Sequence, residues 1–131
     1  MRIRSTKPEF WRSKTIAALP WEIVYDGPKP KRVSPIAPER DQVEYVYLLF
    51  DDSDRLLYVG RSFRPADRFA KHHRRDWWPQ VCGVVLVAVF DQVRFGVHRK
   101  YYTPANVKEF EGAAIADLHP LHNIVGRKGA A

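Results

Sequence analysis

The residues best suited to chemistry in this sequence are Tyr47, Tyr58, Arg68, His72 and Glu111. The two tyrosines flank an acidic, turn-like stretch, Asp51 to Asp54, between two short apolar runs, which is the pattern of a β-hairpin. A loop centred between Asp52 and Ser53 puts Tyr47 opposite Tyr58, with both phenols on one face. A helix predicted directly afterwards carries Arg64, Arg68, Lys71 and Arg75 on one side. Phenols beside a cationic helix suit a phosphate group. Glu111 falls within the apolar stripe of a later helix, where an uncompensated polar group costs about 2–7 kcal/mol. A core arginine, a metal ion or a bridging donor would each compensate it.

These side chains depend on a few elements for their positions. The second face of the hairpin, Val46, Leu48 and Phe50 opposite Leu57 and Val59, is apolar and is expected to pack on helices. Gly60 permits a tight turn after the hairpin, and Pro65 suits the first turn of a helix over 64–74. At 3.6 residues per turn, Ala66, Phe69, Ala70 and His73 form the buried side of that helix. His73 is therefore assigned to the core or its boundary, and His72 to the more exposed side. Rows of cations are usually solvated, but Asp67 is the one carboxylate in 61–75, so this face would also lie well on a phosphate backbone. Trp77 and Trp78 cap the core, and the β-branched run 81–90 reads as a central buried strand. Residues 91–102 form an extra hairpin or a long loop bearing Arg94, Arg99 and Lys100. Thr103-Pro104 opens a helix that runs to Leu118, ahead of Pro120, with Val107, Phe110, Ala114, Ile115 and Leu118 as its stripe. The expected fold class is α+β: a small three-stranded antiparallel sheet flanked by helices.

The chain has 131 residues and is 45% hydrophobic, enough for one compact domain. Its formal charge of +7 favours polyanionic partners. Through Arg40 there are nine Lys or Arg against four Asp or Glu, so +5 of that charge lies in the first part of the chain. Residues 1–43 are read as a basic arm with a short helix ending near Leu19, followed by a Pro-rich linker; Trp11, Ile16 and Trp21 would find apolar surface. Residues 126–131 form a tail. A single cysteine, Cys82, excludes an intrachain disulfide and a paired-cysteine zinc site, and His119-x-x-His122 is a weak metal pattern on its own. Charges at Arg2, Arg4, Lys7, Glu9 and Arg12 break any signal-like run, and no apolar run reaches membrane-helix length. A cytoplasmic protein without a membrane partner is expected.

The sequence from residue 45 resembles the GIY-YIG nuclease family. Tyr45-Val46-Tyr47 stands at the first motif and Tyr58-Val59-Gly60 at the second, with the family's ten-residue spacing and an arginine, Arg68, eight residues after the glycine. His72 sits where members carry His or Tyr, and Glu111 followed by Pro120 and Asn123 resembles the family's ending. The resemblance covers 44–125 and departs at Tyr45, which replaces the first glycine. It implies a metal-dependent DNA endonuclease of homing, restriction or repair-like kind. In that reading Tyr47 or His72 helps to deprotonate water, Tyr58 orients water or phosphate, and Arg68 neutralises charge. Glu111 holds Mg2+, or alternatively Mn2+, and Asn123 braces the site. Arg61, Arg64, Lys71, Arg75, Arg99 and Lys100 are the nucleic-acid-binding candidates, and no small-molecule cofactor is expected. The other reading is a nucleic-acid-binding module that keeps the fold without useful catalysis. Oligomeric state is left open, a monomer included. The first residues, Arg2 to Trp11, also resemble the start of replication-associated proteins of phages and actinobacteria.

Overall fold

A computed structural model of the chain describes residues 12–19, 21–29, 44–89 and 104–123. Helix α1 (Lys14–Ala18) is followed by strands β1 (Trp21–Pro28), β2 (Tyr45–Phe50) and β3 (Leu56–Ser62), helix α2 (Pro65–His72), a 3-10 turn at Trp78–Gln80, strand β4 (Gly83–Val89) and helix α3 (Pro104–Leu118). All strand pairs are antiparallel, in the order β1-β4-β2-β3. The class is α+β as expected, but the sheet has four strands where three were expected. The additional strand, β1, comes from the stretch read as arm and linker, and it pairs with β4 from Trp21↔Val89 to Pro28↔Gly83.

Both faces of the sheet are covered, so β2 and β4 are buried along their whole length. This is why both read as unbroken apolar runs rather than as alternating ones. On one face, Val46, Leu48, Phe50, Val85, Val87 and Val89 meet Val107, Phe110, Ala114 and Leu118 of α3 and Ile16 of α1. On the other, Tyr45, Tyr47, Leu49, Val84 and Leu86 meet Phe69 of α2 together with Trp77 and Trp78. Both tryptophans cap the core. Ser13 caps α1 by accepting from Ile16 N–H and ties the helix to α3 by donating to Asp117 Oδ2 at 2.6 Å. Trp21 packs edge-on against Phe110, so Ile16 and Trp21 find apolar surface, whereas Trp11 lies outside the described residues. So do Arg99, Lys100 and the rest of 91–102, as well as the tail.

The hairpin differs from expectation in register. Tyr47 pairs with Gly60 and Tyr58 with Leu49, two positions away from the predicted pairing. Asp51 causes this by ordering a longer loop: its Oδ1 accepts from Ser53 N–H and Arg55 N–H, its Oδ2 from Arg55 Nε, and Asp54 takes a left-handed φ of 62°. A slip of two preserves the face, so both phenols still share one side. The irregularity between Leu49 and Phe50 turns Leu57 toward the tyrosine face and Leu56 toward α3, which corrects the assignment of Leu57. Gly60 makes no turn; it lies within β3.

The outer edge of β3 is closed by the segment after α3. Leu121 N–H donates to Leu56 O and His122 N–H to Leu57 O at 2.8 Å, while Asn123 accepts from Val59 N–H at 2.7 Å and donates to Val59 O at 2.6 Å. Asn123 thus completes the bonding of Val59 as a neighbouring strand would. No helix among the described residues is long and apolar enough to cross a membrane.

Candidate active site

Tyr47 is fully buried beneath α2, and its Oη lies 2.7 Å from Nε2 of His72. His72 is 2% exposed while His73 is exposed, the reverse of the expected assignment. The phase of α2 is set by Pro65, Phe69 and His72, spaced i, i+4, i+7, and this turns Ala70 and His73 outward. Phe69 packs edge-on against Tyr47, with ring centroids 5.2 Å apart. Tyr58 stacks on Tyr47 at 6.1 Å and on Trp77 at 5.1 Å, and Trp77 in turn stacks on His122 at 5.4 Å. His122 is therefore an aromatic partner of Trp77, while His119 is exposed with a φ of 53°.

Gly60 faces the Tyr47 ring directly. A Cβ at this position would fall inside contact distance of Tyr47 Oη and Cζ and 2.9 Å from Cε1. Its role is to leave room for the phenol, a requirement visible only once the strand register is known.

The electrostatics of this cluster follow from burial and from Arg68. Burial, with the neighbouring Tyr58 adding to it, pushes the Tyr47 phenol above its ordinary pKa despite the opposing influence of Arg68. The His72 imidazole is pushed down to about 4, first by burial and then by the cations Arg68 and Arg75. Both groups are neutral near pH 7, so one proton occupies their contact. The Arg68 guanidinium lies against the Tyr47 and Tyr58 hydroxyls, which hold its pKa above the ordinary value. Arg68, His72, Tyr47 and Tyr58 form one cluster, with Arg68 as its solvent-facing member.

The buried state of His72 makes stability depend on pH. Its pKa is about 4 in the folded chain against 6.5 for a free histidine. The unfolded chain therefore takes up the proton first as pH falls. This contribution to stability is intact above about pH 6.5 and is lost toward pH 4, amounting to about 3 kcal/mol across that window. Asp51 changes stability in the same direction: against the opposing pull of burial, hydrogen bonds from Arg55 and Ser53 hold its pKa below the ordinary value. Urea denaturation at pH 7 and pH 4.5 is expected to show a smaller acid loss for His72→Gln than for the native chain. Equal losses would show that His72 does not titrate in this way.

Glu111 lies on the α3 side of the sheet, in the apolar stripe as expected. Its Oε1 is 3.3 Å from Nε of Arg61, and Nη1 of Arg61 is 3.7 Å from Oε1 of Glu44. Arginine is thus the compensator of Glu111 in this structure. Burial nevertheless raises the Glu111 pKa, with Arg61 opposing and Glu44 reinforcing the shift. The influence of Glu111 extends to the Tyr47 phenol. Arg61, a candidate for phosphate contact, bridges the two carboxylates, whereas Arg64, Lys71 and Arg75 are exposed. The roles of Arg61 and Glu44 at Glu111 were not read from the sequence. Strand alternation offered a signal for Arg61, which lies two residues after Val59 on the α3 face.

Among the described residues no group of three or more His, Cys, Asp or Glu side chains is arranged to hold a metal ion. Glu111 still fits a hard cation. Its carboxylate is partly exposed, a single arginine at 3.3 Å leaves it incompletely compensated, and Mg2+ is commonly held by one or two carboxylates with water and phosphate oxygens completing its shell. Comparison with protein-family models, curated proteins and solved structures returns no match.

Proposed function

We propose that this chain is a metal-dependent DNA endonuclease of the GIY-YIG type that hydrolyses phosphodiester bonds. The observation that carries the reading is a buried phenol 2.7 Å from a neutral histidine, with Arg68 near enough to act electrostatically on both tyrosines. A fully buried phenol paired with His72 is more than hairpin packing requires.

A divalent ion at Glu111, Mg2+ or Mn2+, supplies Lewis-acid stabilisation of phosphoryl oxygens when bound. The protein's own groups provide the rest. Arg68 faces solvent and binds the scissile phosphate, neutralising charge as it develops. Tyr58, fixed by Trp77 on one side and by the Asn123-braced Val59 next to it in sequence, orients the attacking water or the phosphate. The Tyr47 hydroxyl and Nε2 of His72, 2.7 Å apart, form the pair toward which the proton lost by the attacking water would pass. Arg64, Lys71 and Arg75 hold the flanking backbone by charge, so binding weakens as salt rises.

The burial of Tyr47 and the pairing of Glu111 with Arg61 favour the second reading, a module that binds nucleic acid without cutting it. Supercoiled plasmid incubated with Mg2+, with Mn2+ and with EDTA separates the two. The endonuclease reading expects nicking that EDTA stops, and it expects Arg68→Ala to lose cleavage by about a hundredfold or more with a modest loss of affinity. Salt-sensitive binding without cleavage, across plasmid and branched substrates, would leave the binding module. Full cleavage by Arg68→Ala would remove that residue from the site.

A further inference from the structure

Arg61 stands where a cation for Glu111 would stand. Its guanidinium lies between Oε1 of Glu111 and Oε1 of Glu44. A divalent ion at Glu111 would share the carboxylate whose Oε1 lies 3.3 Å from Arg61 Nε, and two cations drawn to one carboxylate repel each other. The three groups differ in freedom. Glu111 is anchored by α3, whose Phe110 and Ala114 are fully buried on either side of it. The Arg61 main chain is fixed by pairing with Val46, but its side chain is 34% exposed and has solvent to move into.

We infer that Arg61 is a built-in competitor for the cation of Glu111, so that the ion pair and the bound divalent ion are alternative states of one site. The inference rests on the metal-dependent reading above. Glu44 supplies the resting place: an Arg61 displaced from Glu111 keeps a carboxylate already within 3.7 Å. The free protein therefore takes up a divalent ion against the hold of Arg61. An arriving phosphate lowers that barrier by offering the displaced guanidinium a second anion. Cation loading and DNA binding become mutually reinforcing, and the protein without DNA is kept largely unloaded.

The test measures metal binding rather than cleavage. Mn2+ is titrated into the native full-length chain, Arg61→Met, Arg64→Met and Glu111→Gln without DNA, and free Mn2+ is followed by electron paramagnetic resonance. Arg61→Met keeps an unbranched stem and loses the charge; it is expected to bind Mn2+ about five- to tenfold more tightly than the native chain. Arg64→Met, with the same change in net charge, is expected to gain less than twofold. Glu111→Gln is expected to lose the site. In parallel, the Arg61 Nε–H resonance of the native chain is expected to shift during a Mg2+ titration, in step with occupancy. Mn2+ binding that needs Glu111 but is equally tight in the native chain and Arg61→Met, or is tightened as much by Arg64→Met, would overturn the competition while leaving the metal-dependent reading intact. Absence of Mn2+ binding in both the native chain and Arg61→Met would overturn the metal-dependent reading, and this inference with it.

Discussion

Glu111→Gln is expected to reduce metal-dependent nicking at least a hundredfold while leaving DNA affinity unchanged or slightly improved. The substitution preserves shape and removes the anion. The fold should tolerate it, because Val107, Phe110, Ala114 and Leu118 supply the buried contacts of α3 and Gln occupies nearly the same volume as Glu. Arg61 is not stranded, since Glu44 remains 3.7 Å from its guanidinium. What disappears is the carboxylate proposed to hold the divalent ion, and with it stabilisation of phosphoryl charge of the kind whose single contributors are worth about 10²–10³ in rate. Loss of a negative charge near the phosphate path accounts for undiminished binding. The comparison is plasmid nicking in Mg2+ alongside a melting curve for each chain. Native-like nicking by a folded Glu111→Gln chain would remove Glu111 from the reaction.

Gly60→Ala is the substitution expected to cost most for a single methyl group. The added carbon would collide with Oη and Cζ of Tyr47, and that ring has nowhere to retreat. It is fully buried, with Phe69 edge-on at 5.2 Å, Tyr58 stacked at 6.1 Å and its hydroxyl bonded to His72. Overpacking of this kind costs about 1–3 kcal/mol, and displacement of the ring would also break the Tyr47–His72 hydrogen bond. Urea denaturation of Gly60→Ala, Tyr47→Leu and the double variant forms a thermodynamic cycle. If the clash is the cause, the double variant is more stable than the sum of the single losses predicts. Simple additivity would place the cost of Gly60→Ala elsewhere.

Much of this architecture could be read from local signals. Pro104 and Leu118 bound α3 where the helix start and the following proline put them, and Pro65 opens α2 as a first-turn proline should. The unbroken apolar stretch of β4 identified a central strand of the sheet. Features set by distant contacts were less legible. Trp21–Pro28 falls within the stretch read as arm, with a linker beginning at Gly27-Pro28; pairing with β4 makes it a strand. Adjacent histidines on a short helix are separated by a small rotation, and packing of Pro65 and Phe69 decided that His72 turns inward. The space-giving role of Gly60 depended on a register fixed by the Asp51 loop. The candidate site shows the same division. Tyr47 and Tyr58 share one face as the hairpin pattern suggested, whereas His72 joins them through a helix phase that the sequence did not give, and the Arg61–Glu111 pair joins residues far apart in sequence that motif spacing does not connect.

The pairing of β1 with β4 also bears on how the chain matures. During synthesis β1 leaves the ribosome well before its partner: Trp21 must wait for Val89. Without β1 docked, β4 would present a bare flank of hydrogen-bonding groups that invites association with other chains. Docking of β1 is thus a long-range closure, of the kind that slows folding. Trimming that segment to shorten the protein for expression would remove an integral strand, and the shortened chain would be prone to clump through β4.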